Sequence, residues 1–113
     1  MSKPLIYVAG PYTKPDPAIN VANAMMVGHW LMSNGAYVIV PHLSHFMHIQ
    51  QSRRYREWLD QDKAILTRCD GLYLIPGESP GADEEVELAH QLDLPVFTND
   101  DEFRDWLSHV WRH

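Results

Sequence analysis

A single cysteine, Cys69, rules out an internal disulfide and suits an intracellular protein. No apolar run approaches the roughly 18 residues of a membrane-spanning helix, and the first residues carry no signal-peptide pattern. The expected setting is cytoplasmic, without a membrane partner. Basic residues are also scarce: the formal net charge is −6, so no excess of Lys and Arg is present to neutralise a nucleic-acid backbone. A nucleic-acid polymer is not an expected partner, whereas a single nucleotide in a local pocket remains compatible with that charge. Three motifs are missing as well. No Gly-Lys-Ser/Thr closes a phosphate loop, no Gly-x-Gly-x-x-Gly follows the first strand, and no His-Glu-x-x-His pair occurs. The first two absences count against an ATPase and an NAD enzyme, and the third against a zinc hydrolase. Neither a metal nor a cofactor is expected.

What is present is enough for one domain, spanning 1–113, with one modest core. Leu5 to Ala9 reads as a short apolar strand ending at Gly10-Pro11-Tyr12. Asp16 is placed to cap a helix that has Pro17 at its first position and runs to about Asn34, with Gly35 ending it. Ile19, Ala22, Met25, Met26, His29 and Trp30 form one broad face of that helix, and Ala24, Val27 and Leu31 lie on the other. A helix apolar on both faces can cover a sheet and also meet a partner subunit. Tyr37 to Val40 is the second strand, stopped by Pro41. His42, His45 and His48 follow in a segment expected to be irregular. Their spacing invites a metal reading, but no local acidic ligand accompanies them, and polar loop residues are the simpler expectation, with His42 lining a site at its strand end. Ser52 to about Arg68 is the second helix. Leu72 to Ile75 forms a third strand, Ala82 to Leu92 a third helix, Leu94 to Phe97 a fourth strand, and Asp101 to Trp111 a last helix capped by Asn99 or Asp100. Four alternations of strand and helix predict a parallel sheet of four to five strands with helices on both faces.

Two carboxylates stand out when helix positions are stepped at about 100° per residue. In the second helix, Tyr55, Trp58, Leu59, Ile65, Leu66 and Cys69 form the apolar stripe, and Asp62 falls inside it. In the third, Glu85 falls in the arc of Ala82, Val86, Leu88, Ala89 and Leu92, while Asp83 and Glu87 face away and Glu84 sits near the edge. A carboxylate on a buried face is costly unless it is paired, hydrogen-bonded or functional. A structural Asp62 capping a neighbouring loop is the plain alternative. Glu85 follows a loop, Pro76-Gly77-Glu78-Ser79-Pro80-Gly81, whose backbone can approach a ligand closely. Such loops lie at the carboxyl ends of the strands of an open α/β sheet, where ligands bind. Tyr7 on the first strand is a third polar group directed to the same crevice. Two carboxylates without a metal motif suggest glycosidic-bond chemistry, one attacking or stabilising the sugar carbon and the other moving a proton. A nucleotide-binding protein without catalysis is the alternative.

Five segments together resemble one superfamily: Tyr7-Val-Ala-Gly10-Pro-Tyr12, Gly35 to His42, Trp58-Leu-Asp-Gln-Asp62, Cys69-Asp70, and Ser79-Pro-Gly-Ala-Asp-Glu-Glu85. It is the nucleoside 2-deoxyribosyltransferase-like superfamily, which includes deoxynucleoside 5′-monophosphate N-glycosidases. Its pattern of an acidic residue, an Ala/Cys-Asp pair and a Ser-x-Gly-x-x-x-Glu segment matches Asp62, Asp70, Ser79, Gly81 and Glu85. The resemblance implies a flavodoxin-like, doubly wound fold and a homodimer or higher homo-oligomer. It implies Glu85 as a nucleophile that forms a covalent deoxyribosyl intermediate, Asp62 as the group that protonates the base or orients the sugar, and Tyr7 as the group that positions Glu85. It further implies that Ser79 contacts the 5′ end, that Tyr12 lines the base or sugar pocket, and that Gly10, His42 and Gly81 lie close by. Nucleotide-selective members carry an arginine where Thr13 stands here, with Lys14 next to it.

Overall fold

A computed structural model describes residues 2–112. Four strands, β1 (Leu5–Ala9), β2 (Tyr37–Ile39), β3 (Gly71–Leu74) and β4 (Val96–Phe97), form one sheet in the order β2-β1-β3-β4. Every pairing is parallel. Five helices connect or follow them: α1 (Pro17–Ser33), α2 (Ser44–Gln50), α3 (Tyr55–Leu66), α4 (Pro80–Gln91) and α5 (Asp100–His109). This is a flavodoxin-like, doubly wound arrangement with helices on both faces.

Strand periodicity assigns the two faces. Ile6 and Val8 of β1 point to one layer with Tyr73 and Phe97, where Ala24 and Leu31 of α1 and Phe103 of α5 complete a core. Tyr7, Ala9 and Leu72 point the other way, onto Leu66 of α3, Cys69, and Ala82 and Ala89 of α4. β1 is central and covered on both sides, which explains its uninterrupted apolar run. The same alternation sends the Tyr7 side chain to the α3–α4 layer.

Local signals explain most helix ends. Asp16 Oδ1 accepts from the backbone N–H of Ala18 at 2.8 Å and Pro17 opens α1. Gly35, at φ 101°, turns the chain after it. Asn99 caps α5 by accepting from Glu102 N–H at 2.9 Å. On α1 the packed face is Asn20, Val21, Ala24, Gly28 and Leu31, while Ile19, Met25 and Met26 remain exposed. Apolar periodicity alone leaves this choice open because both faces are apolar. Gly28 settles it, because a Cβ there would lie 2.9 Å from Cγ2 of Val40, the residue after β2, and glycine permits that close approach.

Two expectations need correction. The segment after Pro41 is a 3-10 turn followed by α2, not an irregular loop. None of α2's residues is buried, so it lacks the one-sided apolar stripe that reveals a helix in sequence. The next helix begins at Tyr55 rather than Ser52, because Glu57 Oε2 accepts from Arg54 N–H at 3.0 Å and fixes the start there. Tyr55, at its first position, is consequently 54% exposed instead of belonging to the buried stripe.

Candidate active site

The carboxyl ends of β1 and β2, the start of α2, one face of α3 and the N-terminus of α4 surround a cleft. With its open mouth the cleft encloses about 600 Å³ of atom-free space. Tyr7, Gly10, Tyr12, His42, Asp62, Ser79, Gly81 and Glu85 all line it. The site residues picked out in the sequence, drawn from four separate segments, are therefore brought to one place.

Glu85 lies in the second turn of α4, facing inward and only 6% exposed. The fully buried Tyr7 hydroxyl donates to Glu85 Oε2. Burial pushes the Glu85 carboxyl up to about 7, the Tyr7 hydrogen bond opposes that rise, and the neighbouring Asp62 adds to it. Burial likewise raises Asp62 to about 7. Tyr7 is held far above the normal tyrosine range by burial first and then by the charge of Glu85, so it stays a neutral donor. The adjacent Glu84 behaves oppositely. It faces outward, pairs with Arg56 at 3.1 Å and Lys63 at 3.7 Å, and is held below the usual carboxylate range by Arg56. Two carboxyls that change protonation near neutrality in one cleft can supply a lone pair and a proton to the same ligand.

The rim is built from backbone and small residues. Ser79 caps α4, its Oγ accepting from Ala82 N–H at 3.1 Å, which leaves its hydroxyl proton free to donate. Tyr55 packs over Gly81, and a Cβ at position 81 would sit 2.2 Å from the Tyr55 hydroxyl. The Tyr12 hydroxyl and His45 Nδ1 are hydrogen-bonded at 2.6 Å. Asn20 donates from its side chain to the carbonyls of Tyr12 and Lys14, both at 2.9 Å, and pins the loop after β1. Buried His42 places Nε2 3.0 Å from the Pro11 carbonyl, and burial lowers its pKa. Donation to that carbonyl leaves Nδ1 an acceptor, and Nδ1 has no partner among the described residues.

A family profile matches residues 4–99. The chain belongs to the family described as Domain of unknown function (DUF7768). No curated protein matches it. The family span runs from the residue before β1 to the cap of α5 and contains every residue of the cleft.

Asp70, part of the resembling pattern, lies elsewhere. It precedes β3 at the opposite end of the strands, where Oδ2 accepts from Leu5 N–H at 2.8 Å and joins β3 to the start of β1. Four cleft residues with polar side-chain groups were not singled out as site residues in the sequence: Ser44, His48, Tyr55 and Trp58. Trp58 and Tyr55 fall at the helical phase of Asp62 in the sequence, and that shared phase was the available signal. Ser44 and His48 depend on α2, which has no comparable signature. Among the described residues, no group of three or more His, Cys, Asp or Glu side chains could hold a metal ion, and no helix is long and apolar enough to cross a membrane.

Proposed function

We propose that this protein cleaves the N-glycosidic bond of a 2′-deoxynucleoside or its 5′-monophosphate, or exchanges the base. The observation that carries the reading is the buried Tyr7–Glu85 hydrogen bond in the same cleft as Asp62. Tyr7 occupies Oε2 of Glu85, which leaves Oε1 to attack the sugar C1′. As that bond forms, the C1′–N bond breaks, its electron pair goes to the base, and Asp62 supplies the proton the base needs to leave. The resulting deoxyribosyl ester on Glu85 is released by water in hydrolysis, or by a second base in transfer. Ser79 and the Gly81 N–H, which in the first turn of α4 has no partner within the helix, hold the 5′ end. Lys14 lines an adjoining hollow with Tyr12 and Ser79, where it supplies charge for a 5′-phosphate. Neither a metal nor a cofactor enters this scheme. The restriction to 2′-deoxy sugars and the nucleophilic role of Glu85 draw on the sequence resemblance. The exposed Met25, Met26 and Met32 of α1 support a homo-oligomer.

The test is incubation with a panel of 2′-deoxynucleosides and their 5′-monophosphates, with and without an acceptor base, followed by chromatography. Free base alone indicates hydrolysis and an exchanged nucleoside indicates transfer. No turnover on any member removes the assignment. Mass spectrometry of the quenched enzyme should show a sugar adduct on Glu85.

A further inference from the structure

His48 of α2 and Trp58 of α3 meet at the wall of the cleft. Trp58 Nε1 lies 2.9 Å from His48 Nδ1, and the backbone nitrogen of Arg53 reaches the same atom at 3.2 Å. An indole N–H and a backbone N–H can only donate, so His48 Nδ1 is an acceptor and carries no proton. The neutral ring must carry its proton on Nε2. The two rings also meet edge to face, with centroids 6.0 Å apart. Turning the imidazole over would break both hydrogen bonds. No described residue bonds to Nε2, so the ring has a fixed tautomer and an unused N–H at a ligand cleft.

We infer that His48 is a specificity-determining residue whose Nε2–H pairs with a ring-nitrogen acceptor on the departing base, and that Trp58 is the positioning residue that fixes its tautomer. This rests on the N-glycosidic reading of the cleft. Trp58 and Asp62 are one turn apart on α3, and both line the cleft with His48. A carboxyl that protonates the leaving base must face that base, so the base lies against the α3 wall. Trp58 is one turn nearer the start of that helix, and His48 of α2 is hydrogen-bonded to it. An N–H held in one orientation distinguishes a base that accepts from an analogue that does not, because the analogue leaves the donor unpaired.

The experiment measures dissociation constants calorimetrically on Glu85→Gln protein, which retains the cleft but cannot turn over. The ligands are a cleavable purine 2′-deoxynucleoside and its 1-deaza, 3-deaza and 7-deaza forms, or the 3-deaza form of a cleavable pyrimidine. With His48 present, one deaza analogue should bind about tenfold more weakly than its parent. In a His48→Leu background that difference should vanish because the parent weakens to the analogue's level. His48→Gln keeps an N–H donor and an acceptor for Trp58, and should restore binding to within about threefold of the parent protein. Trp58→Phe keeps an aromatic wall but removes the shorter of the two donors that hold Nδ1, leaving the Arg53 N–H, and should give an intermediate loss. In the turnover-competent enzyme, His48→Leu should raise KM more than it lowers kcat. If the enzyme cleaves deoxynucleosides but every deaza analogue binds like its parent, the role of His48 is wrong and the proposed function stands. If no deoxynucleoside is bound or cleaved by the otherwise unaltered protein, both fall together.

Discussion

The Tyr7 hydroxyl donates to Glu85 across a sequence separation of 78 residues, from the central strand to the second turn of α4, with both groups buried. Burial favours the neutral carboxyl of Glu85, and the tyrosine opposes that by stabilising the carboxylate. Tyr7→Phe removes the opposing contribution without opening a large cavity. Glu85 should then titrate higher, and the acid limb of kcat/KM should move to higher pH. A charge-assisted hydrogen bond of this kind corresponds to about a 10- to 100-fold loss of rate at neutral pH. Glu85→Gln should abolish base release altogether while circular dichroism is unchanged. A Tyr7→Phe enzyme with an unmoved acid limb would show that the pair does not set the nucleophile's ionisation.

The same raised carboxyls give stability an uncommon pH dependence. In the folded state Glu85 and Asp62 titrate near 7, above their ordinary values of 4.5 and 3.8. The native protein therefore binds protons more tightly than the unfolded chain between those limits. Their contribution is fully present below about pH 4 and is lost as pH rises through 7. His42, lowered by burial, acts in the opposite sense, since its contribution is lost as pH falls. Comparing variants separates the two. The gain in urea midpoint of Glu85→Gln over the parent protein should be small near pH 5 and larger at pH 8, with a smaller difference for the less buried Asp62→Asn. A difference that does not change with pH would exclude a raised Glu85.

The two acidic neighbours on α4 show how much of the site was readable in the sequence. Helical phase put Glu85 near the middle of the packed arc and Glu84 near its edge, and the structure turns Glu85 inward to Tyr7 and Glu84 outward to Arg56. Phase also placed Asp62 on the cleft side of α3, and strand alternation sent Tyr7 to the same layer. The fold was legible for the same reason: strand and helix periods alternate cleanly, and turn residues punctuate them. Phase failed where it has no contrast. α1 is apolar nearly all round, so Gly28 and its contact with Val40 had to decide the packed face. α2 buries nothing, so His45 and His48 resembled loop residues until their hydrogen bonds to Tyr12 and Trp58 were seen. Tyr55 lost its buried place because local capping by Glu57 moved the start of the helix.

Activity should follow a bell-shaped pH profile. Attack requires Glu85 as carboxylate, and departure of the base requires a proton on Asp62. Both groups titrate near 7 and interact, so the productive state is the form of the pair that holds one proton. The rate should be greatest near neutrality and fall on both sides. Asp62→Asn removes the group responsible for the alkaline limb. That variant should be at least about 100-fold slower on natural bases, with a flattened alkaline limb. It should recover most of its rate on a deoxyribosyl substrate whose leaving group departs without protonation. No recovery on such a substrate would assign Asp62 to orienting the sugar instead.

Three glycines around the cleft should differ in a definite order when changed to alanine. At Gly77, φ is 138° and a Cβ would lie 2.5 Å from Pro11 Cγ, so backbone strain and a clash with a rigid ring act together. Gly77→Ala should cost roughly 2–4 kcal/mol. At Gly10 the obstacle is Ile75 Cβ at 2.8 Å, an atom fixed close to its own backbone, and some displacement of the segment after β3 is needed. About 1–3 kcal/mol is expected there. At Gly81 the obstacle is closer, 2.2 Å, but it is the hydroxyl at the far end of a side chain that is 54% exposed. Tyr55 can swing away, and Gly81 lies in the first turn of α4, where alanine is also the better helix former. Gly81→Ala should therefore be close to neutral in urea denaturation. Its cost should appear in catalysis, because the added methyl and the displaced Tyr55 both alter the cleft beside Ser79, raising KM for 5′-substituted substrates. Equal destabilisation by all three substitutions would show that Tyr55 is held as firmly as Pro11 and Ile75, and that the cleft has a rigid rim on the α3 side.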